Sequence, residues 1–183
     1  MVHIKLLGQC CPHLNSLWLR ANHFQVTKGG RDDVPDEFKP DHHYFQFLEI
    51  LYFRIGEGEL ALTFVPPYVL HYILKNAQKL QQLIIALRSY FINDDYLCDL
   101  LMQRELCALT KLNIVVPGLN NMPNVIPLTM RSLNFIMHFC PQVKSIGNLL
   151  SWNLNGEEFE ICQKNLESNN YDIELIHRVT VMH

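Results

Sequence analysis

The side chains best suited to grip another molecule recur at matching places along this chain. Trp18, Tyr52 and Ile84 occupy equivalent positions in a repeated nine-residue pattern, and Arg20 and Arg54 follow two residues after the first two. Trp, Tyr and Arg dominate the energetic centres of protein interfaces. The chemistry these five residues offer is non-covalent recognition, with no bond-making implied. The alternative is that the polar stretch 20–44 folds over them and makes them a small satellite core.

Residue types able to make or break bonds are present but lack working spacing. His42-His43 and the His138-x-Cys140 pair do not have the paired spacing of a zinc site. The six cysteines (Cys10, Cys11, Cys98, Cys107, Cys140 and Cys162) form no C-x-x-C and read as buried thiols in a reducing environment. Cys11 falls in a core column of the repeat, which favours burial over reactivity. Gly56 and Gly58 read as a turn after a strand. No P-loop, G-x-G-x-x-G, G-x-S-x-G or H-E-x-x-H occurs. Glu157, Glu158 and Glu160 lie near an expected helix start, where a carboxylate favours the helix dipole without acid–base work. The expectation is no catalytic residue, no metal site and no cofactor.

The elements that must carry Trp18, Tyr52 and Ile84 are visible as an internal repeat. Its copies are CPHLNSLWL (11–19), FQFLEILYF (45–53), AQKLQQLII (77–85), LCALTKLNI (106–114) and a degraded CPQVKSIGN (140–148). The central column reads Leu17, Leu51, Leu83, Leu112, Ile146, with spacings of 34, 32, 29 and 34 residues. A period near thirty with an L-x-x-L-x-L core is the signature of leucine-rich repeats. In a short strand, alternate side chains face opposite ways, so Leu17 and Leu19 point inward while Ser16, Trp18 and Arg20 point outward. One such strand cannot bury its apolar face alone, whereas stacked copies share a core. The outward columns then read Trp18, Tyr52, Ile84, Asn113, Gly147 and Arg20, Arg54, Ala86, Val115, Leu149.

A helix is expected between successive strands. After Pro66-Pro67, the residues Val69, Leu70, Ile73, Leu74 and Ala77 recur at helical spacing, with proline where a helix start tolerates it. Asn93 and Asp94 read as cap residues ahead of Leu97, Leu100, Leu101 and Leu106, and Thr129 precedes Leu133, Ile136, Met137 and Cys140. Asn155 and Glu158 have capping-box spacing, Phe159, Cys162 and Leu166 make an apolar stripe, and Tyr171, Ile173 and Leu175 alternate as a final strand. The expected architecture is one α/β solenoid of about five repeats spanning 1–176. Short parallel strands line its concave side and helices its convex side. A loop insertion occupies 20–44, a second loop 117–127, a closing element 150–176 and a tail 177–183. Val2, Leu6, Leu7 and Cys10 resemble the end of a repeat helix with no polar cap ahead of it, as in a piece of a longer solenoid or an edge covered by a partner.

Composition narrows the function classes. Of 183 residues, 49% are hydrophobic and 18% charged, which excludes wholesale disorder. Fifteen basic against eighteen acidic residues give a net charge of −3, unlike a basic nucleic-acid-binding domain. No apolar run approaches the roughly 18 residues of a membrane span, and no secretory signal is seen. No nucleic-acid or membrane partner is expected, and the expected location is intracellular, cytoplasmic or nuclear.

The CP-x-L-x-x-L units, the helix-then-strand order and the closing FCPQVKSIGNLLSWNLNGEEFE resemble the C-terminal repeat region of F-box/LRR-type proteins, including many from arthropods. The resemblance implies an α/β horseshoe or arc that holds a substrate while an F-box recruits a cullin-based ubiquitin ligase. No F-box-like segment is seen ahead of the first repeat, so an adaptor would be reached only through an N-terminal region outside this sequence. The other function the resemblance implies is a repeat regulator or inhibitor that binds an enzyme or GTPase.

Overall fold

The computed structural model describes residues 4–21, 44–55, 67–86, 93–102, 108–115, 128–147, 152 and 154–174. Within them the chain runs α1 (Ile4–Cys10), β1 (Ser16–Ala21), β2 (Ile50–Ile55), α2 (Pro67–Asn76), β3 (Gln82–Ala86), α3 (Asp94–Leu101), β4 (Lys111–Val115), α4 (Met130–Phe139), β5 (Ser145–Gly147), α5 (Gly156–Ser168) and β6 (Asp172–Glu174). The six strands form one sheet in chain order, every neighbouring pair parallel. The fold is α/β with an all-parallel sheet. Residues 22–43, 56–66 and 116–127, which include the histidine pair 42–43, Gly56, Gly58 and most of both expected loops, lie outside the described residues. So do Cys107 and the expected tail 177–183. Arg20 and Ala21, assigned to the first loop on sequence, are strand residues.

The register follows the repeat alignment. Leu17 pairs with Leu51, Leu51 with Leu83, Leu83 with Leu112, and Leu112 with Ile146. Ile146 pairs in turn with Ile173, so the closing segment adds a sixth strand. The turns ahead of the strands repeat as well. The Leu14, Leu48, Leu80 and Val143 amides donate to the Cys11, Phe45, Ala77 and Cys140 carbonyls. Between rungs, the Asn15, Glu49, Gln81 and Thr110 carbonyls each accept two amides from the next repeat, at 2.8–3.1 Å. Unequal repeat lengths of 34, 32, 29 and 34 residues therefore converge on one hydrogen-bonded frame.

Inward strand residues and helix residues form one core. Leu51, Phe53, Leu83, Ile85, Leu112, Ile114 and Ile146 are fully buried with Ile73 and Leu74 of α2, Leu100 of α3, Leu133 and Ile136 of α4, and Cys162 and Leu166 of α5. Phe45 opens the turn before β2 at φ 62° with its ring fully buried. A bulky residue is rare in that left-handed conformation; burial of the ring offsets the backbone cost. Gly8 in α1 is required by close approach, because a Cβ there would lie 2.7 Å from Tyr44 Cβ.

Local sequence sets the helix ends. The Asn93 side chain accepts from the Tyr96 amide, and the Thr129 side chain from the Arg131 amide. At α5 the capping box is complete: Asn155 Oδ1 accepts from the Glu158 amide at 2.9 Å, and Glu158 Oε2 from the Asn155 amide at 3.0 Å. The same helix ends in a Schellman motif, with Asn170 at φ 57° and the Tyr171 and Asn170 amides donating to the Leu166 and Glu167 carbonyls. The helix expected to reach Leu106 ends at Leu101, with Met102 as its cap. Helices α3 and α4 are joined across one repeat: the Thr129 amide and hydroxyl both donate to the Asp94 carboxylate. The Trp152 indole N–H donates to Ser132 Oγ, which donates to the Thr129 carbonyl.

Candidate interaction face

The helices cover one face of the sheet, and the other carries the outward strand positions. Pairing aligns these side chains in rows across the strands. Trp18 pairs with Tyr52 and Tyr52 with Ile84; Arg20 pairs with Arg54 and Arg54 with Ala86. All five residues singled out in the sequence therefore fall on one face over three adjacent strands. Trp18 is 68% exposed and Arg20 is exposed, while Tyr52, Arg54 and Ile84 are half-buried. The Trp18 and Tyr52 rings stack with centroids 4.8 Å apart and planes 20° from parallel. The pleat aims both rings the same way, and the roughly 4.8 Å strand spacing matches the stacking distance.

The far end of this face is finished differently. Asn113 takes the Trp18 position on β4 but is only 5% exposed. Its carboxamide lies against Gly147, where a Cβ would sit 2.6 Å from Asn113 Cγ. Asn113 Oδ1 and Ser145 Oγ are both buried without a hydrogen-bond partner among the described residues. An unpaired buried acceptor costs stability on the order of 1–3 kcal/mol. Burial here runs against the outward pattern, because glycine leaves a floor onto which the asparagine settles.

A further row lines the turns that enter the strands. His13 and Phe47 have ring centroids 5.2 Å apart, and Lys79 Nζ lies 4.8 Å from the centre of the Phe47 ring. These residues stand two after the first anchor of successive repeats. The signal was present in that alignment column, but three unlike residue types hid it. Lys111, opposite Gln82 and Ser145, adds a third cation to the outward face.

Among the described residues, no cluster of three His, Cys, Asp or Glu residues suited to metal binding forms. Burial pushes the Cys98 and Cys162 thiols up, which suppresses their thiolates. Cys10 is exposed and Cys11 half-exposed, which corrects their expected burial; both precede β1, beyond which no described strand lies. Burial lowers the His71 pKa, partly opposed by nearby Asp99, and raises those of the Tyr96 and Tyr171 phenols, with Cys140 also raising that of Tyr171. No described helix is long and apolar enough to cross a membrane. Comparison with protein-family models, curated proteins and solved structures finds no match.

Proposed function

We propose that this chain is a leucine-rich-repeat solenoid, concave on its sheet side and convex on its helix side, that binds a protein partner and performs no catalysis. The repeat assignment is supported by the anchor leucines lying opposite one another from β1 to β4, with Ile146 continuing the row. The binding assignment is carried by one observation: an exposed Trp18 stacked on Tyr52 beside two arginines, on the face the helices leave uncovered. A tryptophan left in water forgoes roughly 1.5–3 kcal/mol of burial, which a partner would recover. The partner in this reading is a substrate held for a cullin-type ubiquitin ligase, the adaptor being engaged by sequence outside this chain. The alternative partner is an enzyme or GTPase that the solenoid regulates.

The test is affinity capture from cell extract with the wild type, Trp18→Ala and Tyr52→Ala, alongside thermal unfolding of each. The expected result is a partner retained by the wild type and weakened at least tenfold by Trp18→Ala, with the fold intact. Equal capture by all three, or collapse of Trp18→Ala itself, defeats the assignment. A cullin adaptor recovered with a longer form of the chain favours the ligase role, and a stoichiometric enzyme favours the regulator.

A further inference from the structure

We propose that the segment bound at the Trp18–Tyr52 end of the face is acidic: an extended peptide that sets carboxylates against Arg20 and Arg54 and an apolar side chain against the stacked rings. This rests on reading the face as protein-binding and specifies the partner's chemistry.

Charge distribution carries the argument. The chain has a net charge of −3, yet the outward positions of β1 to β5 hold Arg20, Arg54 and Lys111 and no carboxylate. Arg20 and Arg54 are direct register partners, which places their backbones about 4.8 Å apart. Like charges directly opposite on neighbouring strands are destabilising. Neither arginine makes an ion pair with a described residue: the one recorded there joins Arg131 to Asp95 on the helical side.

Among the described residues no carboxylate pairs with either arginine, whereas a carboxylate partner relieves the repulsion and accepts paired guanidinium hydrogen bonds. The rings sit two residues before the arginines on the same strands, about 6.6 Å away. An apolar side chain and a carboxylate two residues apart on an extended peptide match that spacing. A nucleic acid would also meet rings and arginines, but three cations on a net-negative chain make a poor polyanion site.

The test pans a random linear peptide library against the full chain, then measures the selected peptides in solution. The expected peptides are rich in Asp and Glu, with an apolar residue within two positions. Replacing their acids by Asn and Gln should weaken binding about tenfold or more, as should the Arg20→Gln/Arg54→Gln variant. Circular dichroism and unfolding should show that variant folded, and Arg20→Lys/Arg54→Lys should recover part of the affinity. Raising salt from 50 to 500 mM should weaken the wild type more than the glutamine variant. Trp18-dependent peptides without acidic bias, or acidic peptides indifferent to the two arginines, overturn the acidic assignment and leave protein binding standing. If no peptide depends on Trp18, both readings fail. A single-stranded RNA oligonucleotide that outcompetes the selected peptides also overturns the proposal.

Discussion

On β1 the outward side chains stand in solvent and on β2 they are half-buried, whereas the central outward positions of β4 and β5, Asn113 and Gly147, are sealed. Trp18 is 68% exposed and Asn113 is 5% exposed, although both are the third residue of their strands and belong to one continuous register. The backbone frame cannot explain the contrast, because the same bifurcated amide bonds join successive rungs. The difference comes from the neighbour. Tyr52 offers Trp18 a ring to stack on and keeps it upright, while Gly147 offers Asn113 a bare backbone to lie down on. The frame is therefore shared along the sheet, and the exposure of each outward position is set by single residues and the strand beside them.

If the frame is truly shared, Leu51→Ala under the aromatic end and Leu112→Ala under the polar end should cost similar stability. Both leucines are fully buried in register positions, so each loss should be about 2–5 kcal/mol by denaturant unfolding. A much smaller loss at one end would break the comparison. Next in size, Gly147→Ala should cost about 1–3 kcal/mol, since the added methyl strikes Asn113. Asn113→Ala should be nearly neutral by itself, because it removes a buried unpaired acceptor, and it should restore most of the loss in the double variant. A double-mutant cycle on Trp18 and Tyr52 should give a coupling of about 0.5–1.5 kcal/mol, reporting their stack.

The smallest expected effect is on pH dependence. His71 of α2 has its pKa lowered by burial, so the unfolded chain takes up a proton more readily than the folded one. Stability contributed by neutral His71 is thus present above the ordinary histidine pKa of 6.5 and is lost as pH falls through the lowered folded value. His71→Phe should flatten the fall in unfolding midpoint between pH 7 and pH 5 relative to the wild type. An unchanged slope would remove His71 as its source.

Much of the frame was legible before any coordinates. The spacing of Leu17, Leu51, Leu83 and Leu112 specified which residues would meet, since an inward leucine has one face to bury and the next rung supplies it. The caps at Asn93 and Asn155 were legible because a side-chain oxygen three residues before an unpaired amide acts locally. The Phe45 backbone was not legible, because burial of its ring overrides a local preference. Nor was the chain from Trp152 through Ser132 and Thr129, or the clasp of Thr129 on Asp94, whose members stand 20 and 35 residues apart and lack a periodic signal.

The amino-acid order alone determined the period, the inward columns, the helix starts and the placing of Trp18, Arg20, Tyr52, Arg54 and Ile84 on outward positions. These follow from alternation along a strand and from hydrogen bonds within a few residues. Tertiary structure decided which outward positions remain open. Exposure depends on what the adjacent rung presents about 4.8 Å away, and that neighbour lies some thirty residues distant in the chain.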